Sequence, residues 1–371
     1  MIYFDATSNV KSKQEVLDEF LKIENVVFAN ANSLHQAGKD ANQIINEYQD
    51  KIYEVLKLDK NKYDIIHTSS GTESNNLAIK GFVYSHSGFG KHILVSPLEH
   101  SSTNATLGYL KDNNYEIEFI AVNKDGKIDL TSLDKQIRKD TILIIINLVD
   151  GEAGFIQDYK EILKIADNHQ VKVFFDVVQA FGKFPLDYSS LGFFSLSPHK
   201  FGGLLGTGLL IKKKEIVLTP LIHGGKSLTL FRSGSIPTSL IAATSKAIEI
   251  ALENQEEHFL YLKKLHDYLI KKLININEIT INSPLENPYI TNISIRGFKG
   301  SEVVEYLSNN NIYVSQKAAC NITNTPSKVL MAVYNDKARA ISSIRISMNE
   351  DNTLEEIDEF LNKLMEMIYG R

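Results

Sequence analysis

The sequence predicts an α/β fold, with a large domain on a mostly parallel sheet and a smaller α/β domain behind it. Three observations predict it. The chain has 371 residues, 43% of them hydrophobic, which at roughly 150 residues per domain points to two domains with a sizeable core. From about residue 62, short β-branched or aromatic runs alternate with longer amphipathic stretches, the pattern of βα crossovers. From Thr238 a long helical pattern leaves that alternation, and a different order of elements follows it.

Taken in order, the apolar runs predict strands at Tyr63–His67, His92–Ser96, Tyr115–Val122, Thr141–Asn147 and Val171–Asp176. Between them, 3.6-residue patterning predicts helices at Glu73–Ser85, Ser102–Asn113, Thr131–Arg138 and Asp158–Asn168. The helical pattern from Thr238 runs to about Asn275. Beyond it come a strand at Ile290–Ile295, a helix, a strand at Ile312–Ser315, a loop, a strand at Ser343–Ser347 and a last helix. This second region starts near residue 255.

Composition narrows the function classes. Forty basic against 45 acidic residues give a net charge of −5, and no basic stripe suggests a nucleic-acid surface. The chain begins MIYFDATSN, without a basic segment leading into an apolar one, so no secretory signal is expected. The most apolar window, Ile142–Val149, contains Asn147 and is far too short to span a bilayer. A cytoplasmic protein without membrane contact is expected. A single cysteine, Cys320, excludes an internal disulfide framework and any multi-cysteine metal site.

Several motifs fail on inspection. Gly88-Phe89-Gly90 lacks the third glycine of a dinucleotide loop, and Gly225-Lys226-Ser227 ends like a P-loop whose first glycine would have to be Pro220. There is no H-E-x-x-H, and the ten histidines are scattered.

Polar residues at predicted strand ends remain. Thr68-Ser69-Ser70-Gly71-Thr72 is a small turn feeding a helix, which serves either as a simple cap or as a phosphate cradle. Glu99-His100 follows the next strand, and His100 suits a helix start, a ring stacked on a flat cofactor, or a proton carrier. Asp176 ends a strand, with Gln179 just after it. Ser195-Leu196-Ser197-Pro198-His199-Lys200 and a glycine-rich stretch follow, with Lys200 24 residues beyond Asp176. Together these supply what pyridoxal 5'-phosphate requires: a lysine for its aldehyde, a carboxylate for its ring nitrogen, hydroxyls and backbone N–H groups for its phosphate, and a ring to cover its face.

More of the chain fits one pattern. It comprises YFDAT (Tyr3–Thr7), NANSLHQAGKDA (Asn30–Ala41), HTSSGTESNN (His67–Asn76), Glu99-His100, FDVVQAFGKFPLD (Phe175–Asp187), SLSPHKFGG (Ser195–Gly203), RSGS (Arg232–Ser235), AACN (Ala318–Asn321), PSKVL (Pro326–Leu330) and IRISMNEDNT (Ile344–Thr353). In order and spacing this resembles the cysteine desulfurase branch of the class V aminotransferases. The resemblance implies the type I fold of pyridoxal-phosphate enzymes, with a seven-stranded sheet. It implies a large domain at 12–254 and a small one made of 1–11 and 255–371.

The same resemblance implies that Lys200 carries the cofactor and that Asp176 pairs with its ring nitrogen. Gln179 would contact the ring oxygen and His100 would stack on the ring. Gly71, Thr72, Ser197 and His199 would hold the phosphate. Ser235 would reach the phosphate of a second subunit, so a homodimer with shared sites is implied. Arg345 would take the substrate carboxylate, for which a planar guanidinium is well shaped. Cys320 would receive the sulfur of L-cysteine as a persulfide, leaving alanine, and pass it to an acceptor protein for iron–sulfur cluster assembly or tRNA thiolation. A free cysteine is otherwise most often a small buried hydrophobe, but the polar run Gln316-Lys317-Ala318-Ala319-Cys320-Asn321 suits a partly exposed thiolate.

Four places depart from the family pattern. Asp150-Gly151-Glu152 stands where N-N-E is usual, which removes an asparagine side chain from the cofactor and substrate. Lys226-Ser227 replaces Q-E, and Leu204-Leu205 replaces P-K. The cysteine loop is one residue shorter before Pro326 and reads Q-K-A-A-C. These leave two alternatives: another class V reaction, such as that of a selenocysteine lyase or an aminotransferase, and a scaffold within a sulfur-transfer complex.

Overall fold

The computed structural model describes residues 1–225, 227–317 and 325–370. The chain opens with a short strand, β1 (Ile2–Tyr3), and two helices, α1 (Gln14–Glu24) and α2 (Gln36–Val55). Alternation follows: β2 (Tyr63–Thr68), α3 (Gly71–Ser85), β3 (His92–Val95), α4 (Ser101–Asp112), β4 (Glu116–Phe119), α5 (Leu130–Gln136), β5 (Thr141–Asn147), α6 (Tyr159–Asn168), β6 (Lys172–Asp176), α7 (Tyr188–Leu191), β7 (Phe193–Leu196) and β8 (Gly208–Lys213). Two long helices come next, α8 (Thr238–Glu253) and α9 (Gln255–Leu273). The remainder is β9 (Ile279–Ile281), β10 (Ile290–Ile295), α10 (Gly300–Asn309), β11 (Ile312–Tyr313), α11 (Lys328–Tyr334), α12 (Lys337–Ile341), β12 (Ser343–Ser347) and α13 (Leu354–Tyr369).

Seven strands form one sheet in the order β2-β8-β7-β6-β5-β3-β4. All neighbours are parallel except β8, which runs antiparallel to both β2 and β7. The mostly parallel seven-stranded sheet is as expected. Its centre explains the apolar runs: every residue of β5 is buried, as a strand covered by helices on both faces requires.

Two strands of this sheet, β7 and β8, have no counterpart among the runs read as strands. Phe193–Leu196 has only four residues, too few for periodicity to separate a buried strand from a buried helical turn. The glycines before β8 mask where it begins. Gly208 itself is a close-approach position, since a Cβ there would lie 2.4 Å from the Ser70 carbonyl carbon. The missing side chain lets the Ser70–Gly71 turn fold against β8. The strand expected at Tyr115–Val122 shortens to β4, with Val122 joined to Ile128 only by an isolated bridge. The helical pattern from Thr238 to Asn275 is two helices, broken at Asn254.

Beyond α9, β12, β10 and β9 make an antiparallel sheet, and β1 pairs in parallel with β11. Ile2 and Phe4 pack in one hydrophobic cluster with Leu262, Ile293, Ile344 and Phe360. The start of the chain is thereby carried to the β12 side, where Asp5 bridges Ser347 and Ser315 bridges Arg345. Among the described residues no helix is long and apolar enough to cross a membrane.

Candidate active site

Strand direction brings the polar residues together. In the parallel part of the sheet β3, β5 and β6 end on the same edge, and Asn147 and Asp176 are register partners there. A cavity of about 570 Å³ opens at that edge, the usual place for a ligand in such a sheet. It is lined by Gly71, Thr72, His100, Asp176, Gln179, Ser197, His199, Lys200 and Arg345, and by Gly151. Ser235 is exposed and does not line the cavity of this single chain. Cys320 and Lys226 lie outside the described residues.

One corner is the N-terminus of α3. Ser70 caps it, its Oγ accepting from the Glu73 N–H at 3.1 Å. The N–H groups of Gly71 and Thr72, in the first turn, have no intrahelical acceptor. A Cβ on Gly71 would lie 3.2 Å from Ser197 Cβ, so glycine keeps this corner open. Ser197 Oγ contacts His199 Nδ1 at 3.0 Å. Burial, together with the Lys200 charge, pulls His199 down to about 4, so its ring is neutral near pH 7. Arg232 of the RSGS segment docks on this helix, its Nε donating to Glu73 Oε1 at 3.0 Å.

A second wall is a chain of buried hydrogen bonds around Asp176, which is 3% exposed. Asn75 Nδ2 donates to Asp176 Oδ2 at 2.8 Å and to Ser102 Oγ at 3.0 Å. Asn75 Oδ1 accepts from Ser195 Oγ at 2.5 Å, and the Val178 N–H donates to Asp176 Oδ1 at 3.0 Å. The Asn75 amide is fully used in aiming the carboxylate. His100 caps α4: its Nδ1 accepts from the Ser102 N–H at 3.2 Å and meets Ser102 Oγ at 2.8 Å. That leaves the ring proton of the neutral imidazole on Nε2. Burial holds His100 below its usual value, partly offset by the Asp176 charge.

Asn75 has no individual role in the sequence reading, although it stands inside HTSSGTESNN. Its signal is a polar side chain on the buried face of a helix, beside Gly71, Ser74 and Ala78, where it must find partners. Glu99 likewise has no assigned role. It is buried, and one carboxylate oxygen accepts from the Asn147 N–H. Burial and then the Asp176 charge raise it well above the ordinary carboxylate range.

Lys200 sits on the short turn Pro198–Lys200, and its Nζ donates to the carbonyls of Thr7 and Ser8 at 2.9 and 2.5 Å. Arg345, which also reaches Ser8, rises from the middle of β12 with its side chain 1% exposed. Its Nη1 donates to the Gly151 carbonyl at 2.7 Å, and its Nη2 to Ser8 Oγ at 2.8 Å and Asp5 Oδ1 at 2.5 Å. Its Nε is buried without a partner among the described residues. The backbone at Gly151 does not demand glycine. A Cβ there would sit at ordinary contact distance, 3.5 Å from Thr7 Cγ2 and 3.7 Å from Gln179 Cγ. Asp150 shapes this turn by accepting from the N–H groups of Glu152, Ala153 and Phe155 at 2.7–2.9 Å. Lys317, read beside Cys320 as favouring a thiolate, is buried, and its Nζ donates to the Thr325 carbonyl at 2.9 Å.

One cavity thus combines helix N–H groups and neutral donors for a phosphate, a buried carboxylate facing it, a lysine amine and a guanidinium for a carboxylate.

Comparison with known proteins follows the same line. The family described as Aminotransferase class-V matches residues 2–360. The NifS/IcsS protein homolog of Lactobacillus delbrueckii subsp. bulgaricus is 34% identical over 97% of this chain and 95% of its own length. The cysteine desulfurase IscS of Methanosarcina thermophila is 33% identical over 99% of this chain and 92% of its own. A solved NifS-like protein, 30% identical, superposes with a TM-score of 0.92 over the full length of both chains.

Proposed function

The chain belongs to the class V aminotransferase family, and from that premise we propose that it is a pyridoxal 5'-phosphate-dependent L-cysteine desulfurase. The observation that carries this is the convergence of Lys200, Asp176 and Arg345 on one cavity whose far corner is the α3 N-terminus.

The donor set fits the cofactor. Gly71 leaves a cradle that a Cβ would narrow, and Thr7 Oγ1, Asn147 Oδ1 and Arg345 Nε are buried atoms on cavity residues lacking a partner among the described residues. The N–H groups of Gly71 and Thr72, with Ser197 and His199, would hold the phosphate. When bound, pyridoxal phosphate supplies an electron sink that makes the Cα–H of an attached amino acid acidic.

Each side chain then has a defined task. Asp176, fixed by Asn75 and the Val178 N–H, would hold the proton of the ring nitrogen. Gln179 would donate to the ring oxygen, and His100 would cover the ring face. Arg345 orients the substrate carboxylate. Lys200 removes the Cα proton on Nζ and returns it to the product. Neutral His100 accepts the substrate thiol proton. Cys320, placed by sequence alone, attacks the substrate sulfur as a thiolate. The carbon–sulfur bond breaks with its electron pair left on carbon, which is protonated to give alanine, and the sulfur stays on Cys320 as a persulfide. In this reading the persulfide sulfur then passes to an acceptor protein, for iron–sulfur cluster assembly or tRNA thiolation.

A homodimer belongs to this proposal, in which the exposed Ser235 would reach the partner's phosphate. So does a division into a large unit at 12–254 and a small one at 1–11 plus 255–371, supported by the shared cluster of Ile2 and Phe4 with the C-terminal strands. Product analysis in the presence of a thiol reductant, which releases the persulfide sulfur as sulfide, tests the function: alanine and sulfide from cysteine in equal amounts are expected. Amino transfer to a keto acid, or an inert yellow protein, would return the alternatives that the bare Gly151 keeps open.

A further inference from the structure

Gln179 lines the cavity, and two partners fix its amide. Its Nε2 donates to the Thr7 carbonyl at 3.1 Å, and its Oε1 accepts from Lys183 Nζ at 2.9 Å. A carbonyl only accepts and an ammonium only donates, so the two contacts together set the orientation of the amide, and Lys183 is the one that holds its oxygen. One N–H of the NH2 group is spent on Thr7. The other remains for the cavity.

Lys183 has no part in the mechanism described above, yet it is placed close behind it. With Lys200 it lines a second, smaller cavity of about 50 Å³, and its Nζ lies 5.7 Å from the centre of the Tyr289 ring. The charged groups acting on it are Lys200, Arg345 and Glu350, while Lys13 and His258 share the cavity wall. Burial, then the Lys200 and Arg345 charges, lowers it to about 7. A lysine kept in so unfavourable a place needs a reason, and its hydrogen bond to Gln179 provides one. No neighbour at 151 does the same work. A Cβ there would be 3.8 Å from Gln179 Nε2, but Gly151 has no side chain to brace the amide from the cavity side.

We propose that Lys183 is a positioning residue that holds Gln179 Oε1, so that an N–H rather than a carbonyl faces the cofactor's anionic ring oxygen. This rests on the pyridoxal phosphate reading of the cavity. A donor at that oxygen stabilises the anion and lowers the pH at which the Lys200-linked cofactor loses its proton. Loss of the donor raises it.

The test is a pH titration of the visible band of bound pyridoxal phosphate in the intact protein. Lys183→Met should raise the midpoint by about one pH unit, the scale of one hydrogen bond to a charged group. Lys183→Arg, which still donates to Oε1, should restore it. Gln179→Leu should raise the midpoint as well, and adding Lys183→Met to it should add little. An unchanged midpoint in Lys183→Met, or an undiminished shift in the Gln179→Leu background, would overturn the proposal. A second measurement needs no Lys183 variant to fold. In protein labelled with 15N-glutamine, the side-chain NH2 signal that is absent in Gln179→Leu should move when pyridoxal phosphate is added, and an unmoved signal overturns the proposal. A wild-type protein without any visible band would instead remove the cofactor reading beneath it.

Discussion

Asp5 and Arg345, 340 residues apart in sequence, form an ion pair inside the cavity wall, with Asp5 Oδ1 2.5 Å from Nη2. The guanidinium is held on its other arm by the Gly151 carbonyl at 2.7 Å. The proposed anchor of a substrate carboxylate is therefore preset by the segment that follows β1 and by the turn after β5. Removal of the anion leaves a nearly inaccessible cation less compensated, though Asp5 itself keeps 20% side-chain exposure, which moderates the effect. Asp5→Asn is expected to lower stability by about 1–3 kcal/mol in urea unfolding, through the weakened charged hydrogen bond. Unaltered stability would mean that the pair does not hold Arg345.

Arg345→Lys tests the anchor itself. A lysine keeps the charge but loses the two-pronged grip on a carboxylate. KM for cysteine should rise tenfold or more, by order of magnitude, with a smaller change in kcat, since the lost contact is shared by ground and transition states. A loss confined to kcat would place Arg345 elsewhere in the chemistry.

Asn75→Leu separates the aiming of Asp176 from its presence. The leucine removes a buried donor from the carboxylate and the acceptor of Ser195 Oγ. Stability should fall by about 1–3 kcal/mol, and pyridoxal phosphate should bind more weakly while Asp176 is intact. Binding equal to that of the wild type, in an equilibrium titration, would show that Asp176 needs no such support.

His67, at the end of β2, gives the protein a pH signature. Burial lowers it from 6.5 to about 4, helped by the Arg232 charge, and its Nε2 has no partner among the described residues. The unfolded chain therefore takes up this proton between pH 6.5 and 4 while the folded chain does not. The stabilisation is fully present above pH 6.5 and is lost as the pH falls towards 4, on the order of 3 kcal/mol for this one group. Urea unfolding between pH 7 and pH 5 should show a smaller loss of stability in His67→Phe than in the wild type. Equal losses would mean that His67 is protonated in the folded state.

Much of this was legible from the chain alone, for physical reasons. The β5 run Thr141–Asn147 is continuously apolar because both sheet faces are covered, and Asp176 and Lys200 stand out as polar residues at the strand-end level of the motif pattern. Partnerships set by register between distant segments were not legible. Asp5 reaches Arg345 only because β1 pairs with β11 and Asp5 bridges Ser347. Asn75 and Lys183 lie inside quoted motifs, but their tasks depend on side chains 101 residues and 4 residues away, respectively, and spacing alone does not reveal a hydrogen bond. The four-residue β7 and the glycine-fronted β8 are too short or too irregular at their starts for periodicity to read.

The central claim is that sulfur passes from cysteine to the chain's own thiol, and one measurement addresses it. The protein, loaded with pyridoxal phosphate, is mixed with cysteine, quenched without reductant, and its intact mass and peptides are read by mass spectrometry. Because the chain holds one cysteine, a persulfide on it has one address. One added sulfur atom on the Cys320 peptide, removed by reductant and absent in Cys320→Ser, is the predicted result. Alanine formation at an undiminished rate in Cys320→Ser, with no sulfur added to the wild-type chain, would contradict it.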